Sequence, residues 1–339
     1  MGIVLTSMSS SPHTTQRPPA PRDRVRVRAV APGSVGNVGP GLDVLGLAVA
    51  GAGDAVVAER RPLAGIELVD AGHPDLPTDP ARHASAIAAL EVLRRAGAGD
   101  VGLALTVAKG LPLAGGQGGS AASAVAGAAA ANALLGGPLD AGALLAACLA
   151  AEEAVAGRHL DNIAPSLLGG LVLVRSLDPI TVTRLPLPAT IADELAVVLV
   201  HPAQRLRTAE GRAALPASVP REVALAQAAQ VAALVAALVA GDWALLAGAV
   251  EDRIAEPARA PLLPGFVEAK AAALAAGALG SSISGSGPTA FALARGRAAG
   301  ERVAAAMVAA YAARGVASTA RVTAPDLVGV RIEHLAPAD

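Results

Sequence analysis

The sequence predicts a protein of about two domains mixing helices and strands. Its 339 residues exceed what a single core usually serves. With 53% of residues hydrophobic and 16% charged, the chain can bury sizeable cores and is not disordered throughout. Strand-like and helix-like stretches alternate along most of its length, as in an α/β-type protein. The 27 Lys and Arg nearly cancel the 28 Asp and Glu, a net charge of −1, so the basic excess of a general nucleic-acid binder is missing. One Trp, one Tyr and two Phe cannot build a stacking platform for single-stranded nucleic acid. The single cysteine, Cys148, excludes an internal disulfide and a Cys-based zinc cluster. A soluble, intracellular protein is expected.

Residues 1–22 are rich in Ser, Thr and Pro and read as a disordered leader or a misassigned start, without the features of a signal peptide. Order is expected to begin near Arg24, where VRVRAV alternates apolar and basic residues like a strand with one wet face. A Gly/Pro-dense loop at 31–46 follows, then another apolar stretch. Residues 84–96 read as a helix and 101–107 as a strand. A glycine loop then runs into a small-residue helix, a further helix covers 141–156, and 171–174 reads as a buried strand. Charge and proline return at 175–179, which suggests domains of 23–175 and 176–339. The second half continues with a strand at 195–200, a helix from Thr208, a long Ala-rich helix between Glu222 and Asp242, and a glycine loop at 280–294.

The positive mean hydropathy obliges a membrane check, and the Ala-rich helix passes on length. Val231, Leu234, Val235 and Leu238 nevertheless fall at i, i+3, i+4 and i+7, with Ala and Gln over most of the opposite face. That is an amphipathic helix lying on a core, and Gln227 and Gln230 would be costly in lipid. No membrane association is expected.

Three loops carry potential chemistry. In the first, PGSVGNVGPGLD at 32–43, glycines and prolines fix a tight path around Asn37 and Asp43. In the second, Gly115, Gly116, Gly118 and Gly119 precede Ser120, Ala121, Ala122 and Ser123 at a helix start, where free N–H groups suit an anion and Ser120 suits phosphate or an oxygen-coordinated Mg²⁺. The pattern is neither Walker A nor the dinucleotide fingerprint, and taken alone it reads equally as a flexible turn. The third, ISGSGPT at 283–289, reads by itself as a hairpin turn. Zinc enzymes and serine hydrolases are set aside, because the six histidines form no H-E-x-x-H and no G-x-S-x-G occurs.

Among charged residues, Thr208 and Arg212 share a helix face, and Arg259 follows the break at Pro257. Two convergent arginines would suit a carboxylate, although each alone reads more readily as a surface ion-pair partner. Glu152 and Glu153 end an apolar helix as solvated caps or metal ligands, and His159, Asp161 and Asn162 lie just beyond.

Taken in order from about residue 25 to about residue 294, these segments resemble the GHMP small-molecule kinases, and within them the homoserine kinases. The superfamily motif P-x-x-x-G-L-G-S-S-A-A stands here as PLAGGQGGSAAS, with Gln117 at the usual Leu, Gly119 at the first Ser and Ser120 at the second. NVGPGLDVLG, HLDNIAPSLLGG, RTAEGRAALP, IAEPARAPLLPGF and ISGSGPTAFAL each look like homoserine-kinase segments. The resemblance implies an α+β fold of two GHMP kinase domains. The N-terminal, ATP-binding domain would contain a left-handed βαβ unit, the C-terminal domain would be ferredoxin-like, and the active cleft would lie between them.

The resemblance further implies an ATP- and Mg²⁺-dependent cytoplasmic enzyme that phosphorylates the side-chain hydroxyl of L-homoserine to O-phospho-L-homoserine, for threonine synthesis. Pro112, Gly115, Gly116, Gly118, Gly119, Ser120, Ala121 and Ser123 would hold the nucleotide, and Ser120 and Glu152 the metal, with Glu153 as fallback. Asn37, Asp43 and His159 would contact the substrate beside Asp161, whose role stays open. Arg212 and Arg259 would grip its carboxylate, Thr208 would sit near the reacting groups, and Ser284, Gly285, Ser286 and Gly287 would support the site. Asn162 stands where other superfamily members place a carboxylate base. An amide cannot take that role, so the resemblance points to direct in-line transfer without a strong base. A homodimer is compatible with it. The alternatives are a GHMP kinase acting on mevalonate, a sugar or a diphosphocytidyl alcohol, and a catalytically silent binding protein of the same fold.

Overall fold

Two sheets organise the chain, whose computed structural model describes residues 3–6 and 26–336. The first half contains β1 (Ile3–Thr6), β2 (Arg26–Gly36), β3 (Leu45–Arg61), β4 (Gly65–Asp70), α1 (Ala84–Arg95), β5 (Gly102–Ala108), α2 (Gly119–Leu134), α3 (Ala141–Val155), α4 (Ile163–Leu168), β6 (Leu171–Leu177) and β7 (Ile180–Leu185). The second half contains α5 (Ala189–Ala192), β8 (Leu195–Pro202), α6 (Thr208–Ala213), α7 (Arg221–Ala240), α8 (Trp243–Leu246), α9 (Ala255–Arg259), α10 (Phe266–Ala275), β9 (Gly280–Ile283), β10 (Ala290–Arg295), α11 (Arg297–Ala313), β11 (Ser318–Thr323) and β12 (Arg331–Leu335).

The larger sheet runs β1-β7-β6-β3-β2-β12, with β5 on the far half of β3 and β4 beyond it. Val27 and Ala29 of β2 face the core while Arg26 and Arg28 pair outward with Glu59 and Glu333, as the alternation predicts. β2 continues further than expected, to Gly36. A register shift at Pro32/Gly33 lets the Gly-rich stretch stay paired with β3, so much of the expected loop is strand. β4 and β5 are parallel and joined through α1, forming the βαβ unit of this half. Almost every side chain of α2 is buried, because its alanines let the helix lie close against α1, β2 and β3.

The smaller sheet, β11-β8-β10-β9, is antiparallel throughout. Numbered from β8, its strands lie in the order 4-1-3-2 with helical connections after the first and third, the ferredoxin-like arrangement. In α7 the stripe of Val231, Leu234, Val235 and Leu238 packs on the core beneath this sheet, as its spacing requires. α7 is also, among the described residues, the one helix long and apolar enough to cross a membrane. Gln227 departs from the expectation that the glutamines lie opposite the stripe: four residues before Val231, it extends the buried face.

The chain does not change sheets at 175–179. That cluster is the turn of the β6–β7 hairpin, both strands of which belong to the larger sheet. The smaller sheet begins with β8, and the chain returns to the larger one at β12. Within the expected disordered leader, Ile3–Thr6 pair with β7 as an edge strand, and 7–22 lie outside the described residues.

Candidate active site

A cleft of about 890 Å³ opens between the two halves. Its walls bring together Asn37 and Asp43 from the first loop, Pro112, Gly115, Gly116, Gly118 to Ala121 and Ser123 from the second, and Glu152, His159, Asp161 and Asn162 from α3 and the turn after it. Thr208, Arg212, Arg259, Gly285 and Ser286 complete it from the second half. Of the residues singled out by sequence, Gln117, Ser284 and Gly287 stand behind the wall rather than on it.

The phosphate-type loop is shaped by close backbone approach. Gly118 caps α2 at φ 71°, and a Cβ there would lie 2.2 Å from Ser34 Oγ. Gly36 is equally constrained, since a Cβ would come within 2.5 Å of both Asp161 and Asn162. The start of α2, from Gly118 to Ala121, lines the cleft, where the free amides of a helix N-terminus suit an anion.

Behind the loop lies a buried ion pair that the sequence analysis did not single out. Lys109 Nζ bonds the Asp54 carboxylate, and also donates to Gly119 O and Ser123 Oγ at 3.0 Å each. Asp54, fully buried, accepts Ser123 Oγ at 2.7 Å and the amides of Gly110 and Leu111. Ser123 is thus committed to bracing the loop from below. A signal was present: Lys109 is one of only two lysines in a chain that otherwise uses arginine, and it stands just before the glycines.

The 283–289 loop is the hairpin between β9 and β10, and it also clamps the phosphate-type loop. Ser284 Oγ donates to Gly116 O at 2.7 Å and Thr289 Oγ1 donates to Gly115 O. Gln117 fills the space beneath, donating to Thr289 Oγ1 at 3.2 Å and accepting from Arg321 at 3.3 Å. The amide at this position accordingly joins the loop to β11. A Cβ at Gly119 would make ordinary contacts, so nothing steric excludes a side chain there.

Ser120 Oγ donates to Glu152 Oε2 at 2.8 Å. Burial pushes the Glu152 carboxyl above the ordinary range, against the lowering effects of His159 and Ser120. His159 Nδ1 lies 3.6 Å from Asp161 and 4.0 Å from Glu152, yet it is buried without a hydrogen-bond partner. Asp161 is also raised by burial, partly opposed by His159, and accepts the Asn37 amide at 3.1 Å. Glu153 points away, toward Arg158. Asn162 caps α4, and its Oδ1 accepts Ser34 Oγ at 3.0 Å.

Arg212, one turn after Thr208 on α6, forms a two-bond fork to Asp43 at 2.6 and 3.1 Å. Burial opposes its charge, but Asp43 holds the guanidinium pKa above its usual value. Its Nε is buried without a partner. Arg259 is buried and donates to the carbonyls of Gly211 and Gly285 at 3.0 Å each. Burial depresses its pKa, and the neighbouring Arg212 adds to the effect. Asn37 Nδ2 donates to the same Gly285 carbonyl at 2.9 Å. Among the described residues four buried side-chain atoms lack partners, and two of them, on His159 and Arg212, belong to residues at this end of the cleft. The wall also includes Leu76, Pro77, Ala81 and the buried His83, which periodicity alone could not place here.

The parallel βαβ unit, the ferredoxin-like second half and a glycine loop facing the cleft between them define the chain as a small-molecule kinase of the GHMP class. Two family models agree, that of the GHMP kinase N-terminal domain over 84–170 and that of the C-terminal domain over 234–313. A homoserine kinase from Arabidopsis thaliana is 42% identical over 91% of this chain and 85% of its own. One from Xanthomonas campestris pv. campestris is 41% identical over 90% and 93%. The crystal structure of homoserine kinase from Cytophaga hutchinsonii superposes with a TM-score of 0.86 at 36% identity, covering 96% of this chain and all of that one. The chain belongs to the homoserine kinase family.

Proposed function

We propose that the protein transfers the γ-phosphoryl group of ATP to the side-chain hydroxyl of L-homoserine. The observation that carries this reading is the convergence of Arg212, Arg259 and Asp43 in one cleft with the amide-lined glycine loop. The loop suits a triphosphate, and the charged cluster suits a small zwitterion. Asp43 and Arg212 neutralise each other in the cleft wall. An amino acid offers its ammonium to Asp43 and its carboxylate to the two guanidinium groups, so one ion pair is exchanged for two and no charge is left bare. Mevalonate, a carboxylate without an ammonium, would draw Arg212 away and leave Asp43 uncompensated, while a neutral sugar offers neither charge to the cluster.

Ser120 and Glu152 are hard oxygen donors in contact and fit a Mg²⁺ ion that keeps waters and takes phosphate oxygens. When bound, Mg²⁺ would supply positive charge that offsets the phosphate charge during transfer. Deprotonating Ser120 is unnecessary for this, since its oxygen can turn from Glu152 toward the ion.

In the transfer itself the substrate hydroxyl oxygen bonds to the γ-phosphorus while the bond to the bridging oxygen breaks, and ADP leaves with that electron pair. Little proton removal is needed in a loose transition state, so the hydroxyl proton can pass to a phosphate oxygen. Asn162 cannot act as a base, and with its oxygen occupied by Ser34 it serves to place the acceptor beside Gly118. Thr208 lines the same space from α6. Asn162→Ala should accordingly lower kcat by no more than about 10-fold. A near-total loss in a folded variant would mean that this position does more than place the acceptor.

A coupled ADP-release assay over a panel of alcohols tests the function. L-homoserine should give turnover that depends on Mg²⁺, while mevalonate and galactose give none. Turnover with either of these and not with homoserine would overturn the reading, and ATP binding without turnover would favour a silent binding protein.

A further inference from the structure

α7 is almost entirely apolar, yet near its start it buries one amide, Gln227, bonded on both its nitrogen and its oxygen. Nε2 donates to Pro40 O at 2.6 Å and to Asp252 Oδ1 at 3.0 Å, and Oε1 accepts the Arg253 amide at 2.8 Å. These partners lead in two directions. Pro40 belongs to the loop between Asn37 and Asp43, where the Asp43 amide donates to Asn37 Oδ1 at 3.1 Å. Asp252 caps α9, accepting the amides of Ile254, Ala255 and Glu256 at 2.9 to 3.0 Å, and α9 ends on Arg259. The loop and the segment before α9 also touch directly, because a Cβ at Gly39 would lie 2.5 Å from Val250 O.

A buried amide in an Ala-rich helix is expensive unless it is fully bonded, and a leucine would serve packing alone equally well. We propose that Gln227 is a positioning residue for the acceptor substrate: it locks the loop of Asn37 and Asp43, from the first half, to the helix of Arg259, from the second. It touches no ligand. The two charged ends of a zwitterion fall on these two elements, and the Gln227 amide, bonded to both, sets the spacing between them. ATP rests on the glycine loop, α2 and the Lys109–Asp54 brace, none of which Gln227 hydrogen-bonds.

This rests on the homoserine reading, and the wild-type panel assay keeps the two separable. If another alcohol proves to be the acceptor, its KM replaces that of homoserine in the comparison of variants. Gln227→Met keeps the volume and removes the amide. It should raise KM for the acceptor about tenfold, with KM for ATP within about twofold and kcat little changed, as expected for lost ground-state positioning. Gln227→Glu, which sets a carboxylate against the Asp252 carboxylate and the Pro40 carbonyl, should give the same split or a larger one. An unchanged acceptor KM in either folded variant, or an equal rise in both KM values, would overturn the proposal. Loss of folding in both variants would assign Gln227 to stability alone and overturn it as well.

Discussion

Replacing Arg259 by alanine should raise KM for homoserine about 100-fold or more while KM for ATP stays within about twofold. The guanidinium is buried, and its hydrogen bonds go to two carbonyls and to no carboxylate, so the charge awaits an anion. Binding a carboxylate there offsets the desolvation that depresses its pKa, which makes Arg259 a stronger determinant than an arginine at the surface would be. Arg259→Lys should recover only part of the loss, because an ammonium cannot hold Gly211 and Gly285 and still meet a carboxylate side-on. Arg212→Ala should act on the same constant and less selectively, since it also strands Asp43. Initial-rate kinetics with each substrate varied separately would show the split. An unchanged homoserine KM would remove Arg259 from the pocket.

Glu152→Gln should cut kcat by about 100-fold or more at ordinary Mg²⁺ and raise the Mg²⁺ concentration needed for half-maximal rate. The same variant should be more heat-stable at pH 7, by about 2 °C. The sign comes from the buried carboxyl. Its pKa is higher in the folded protein than in the unfolded chain, so from the unfolded value upward the folded state holds on to the proton more tightly. Stability is therefore lost as pH rises through that window, and above it the buried carboxyl costs stability. Glutamine removes the cost and can still accept the Ser120 hydroxyl. The difference between wild type and variant should shrink as pH falls toward the ordinary carboxylate range, which paired thermal melts would follow. A variant less stable than wild type at neutral pH would mean that Glu152 strengthens the ligand-free fold.

How much of this was legible in the sequence depended on whether local spacing or distant pairing decided the outcome. The α7 stripe, the start of α6 at Thr208 and the glycine cap of α2 are set by residues close in the chain, and they stand where the sequence puts them. The sheet change was not legible, because the Arg175–Pro179 cluster is also what a hairpin turn needs, and only pairing with β3 and β1 shows to which sheet the hairpin belongs. β2 outran its alternating pattern because a bulge let glycines remain paired.

In the site, the three loops and the isolated charges could be marked as candidates, but each alone had an ordinary structural reading. Their convergence is a property of long-range packing. Asp54 and the buried role of Gln227 escaped notice because nothing near them in sequence betrays their partners, which lie about the chain at Lys109, Pro40 and Asp252. Gln117 looked like a departure from the family motif, and its reason is a contact with Thr289 and Arg321, both in the other half.

The most direct measurement is a crystal structure of the protein with L-homoserine and a non-hydrolysable ATP analogue. The phosphates should lie on the amides at the start of α2, with both guanidinium groups on the amino acid's carboxylate, Asp43 on its ammonium, and its hydroxyl facing the terminal phosphorus. Homoserine bound elsewhere, or Arg212 and Arg259 turned away from it, would contradict the account.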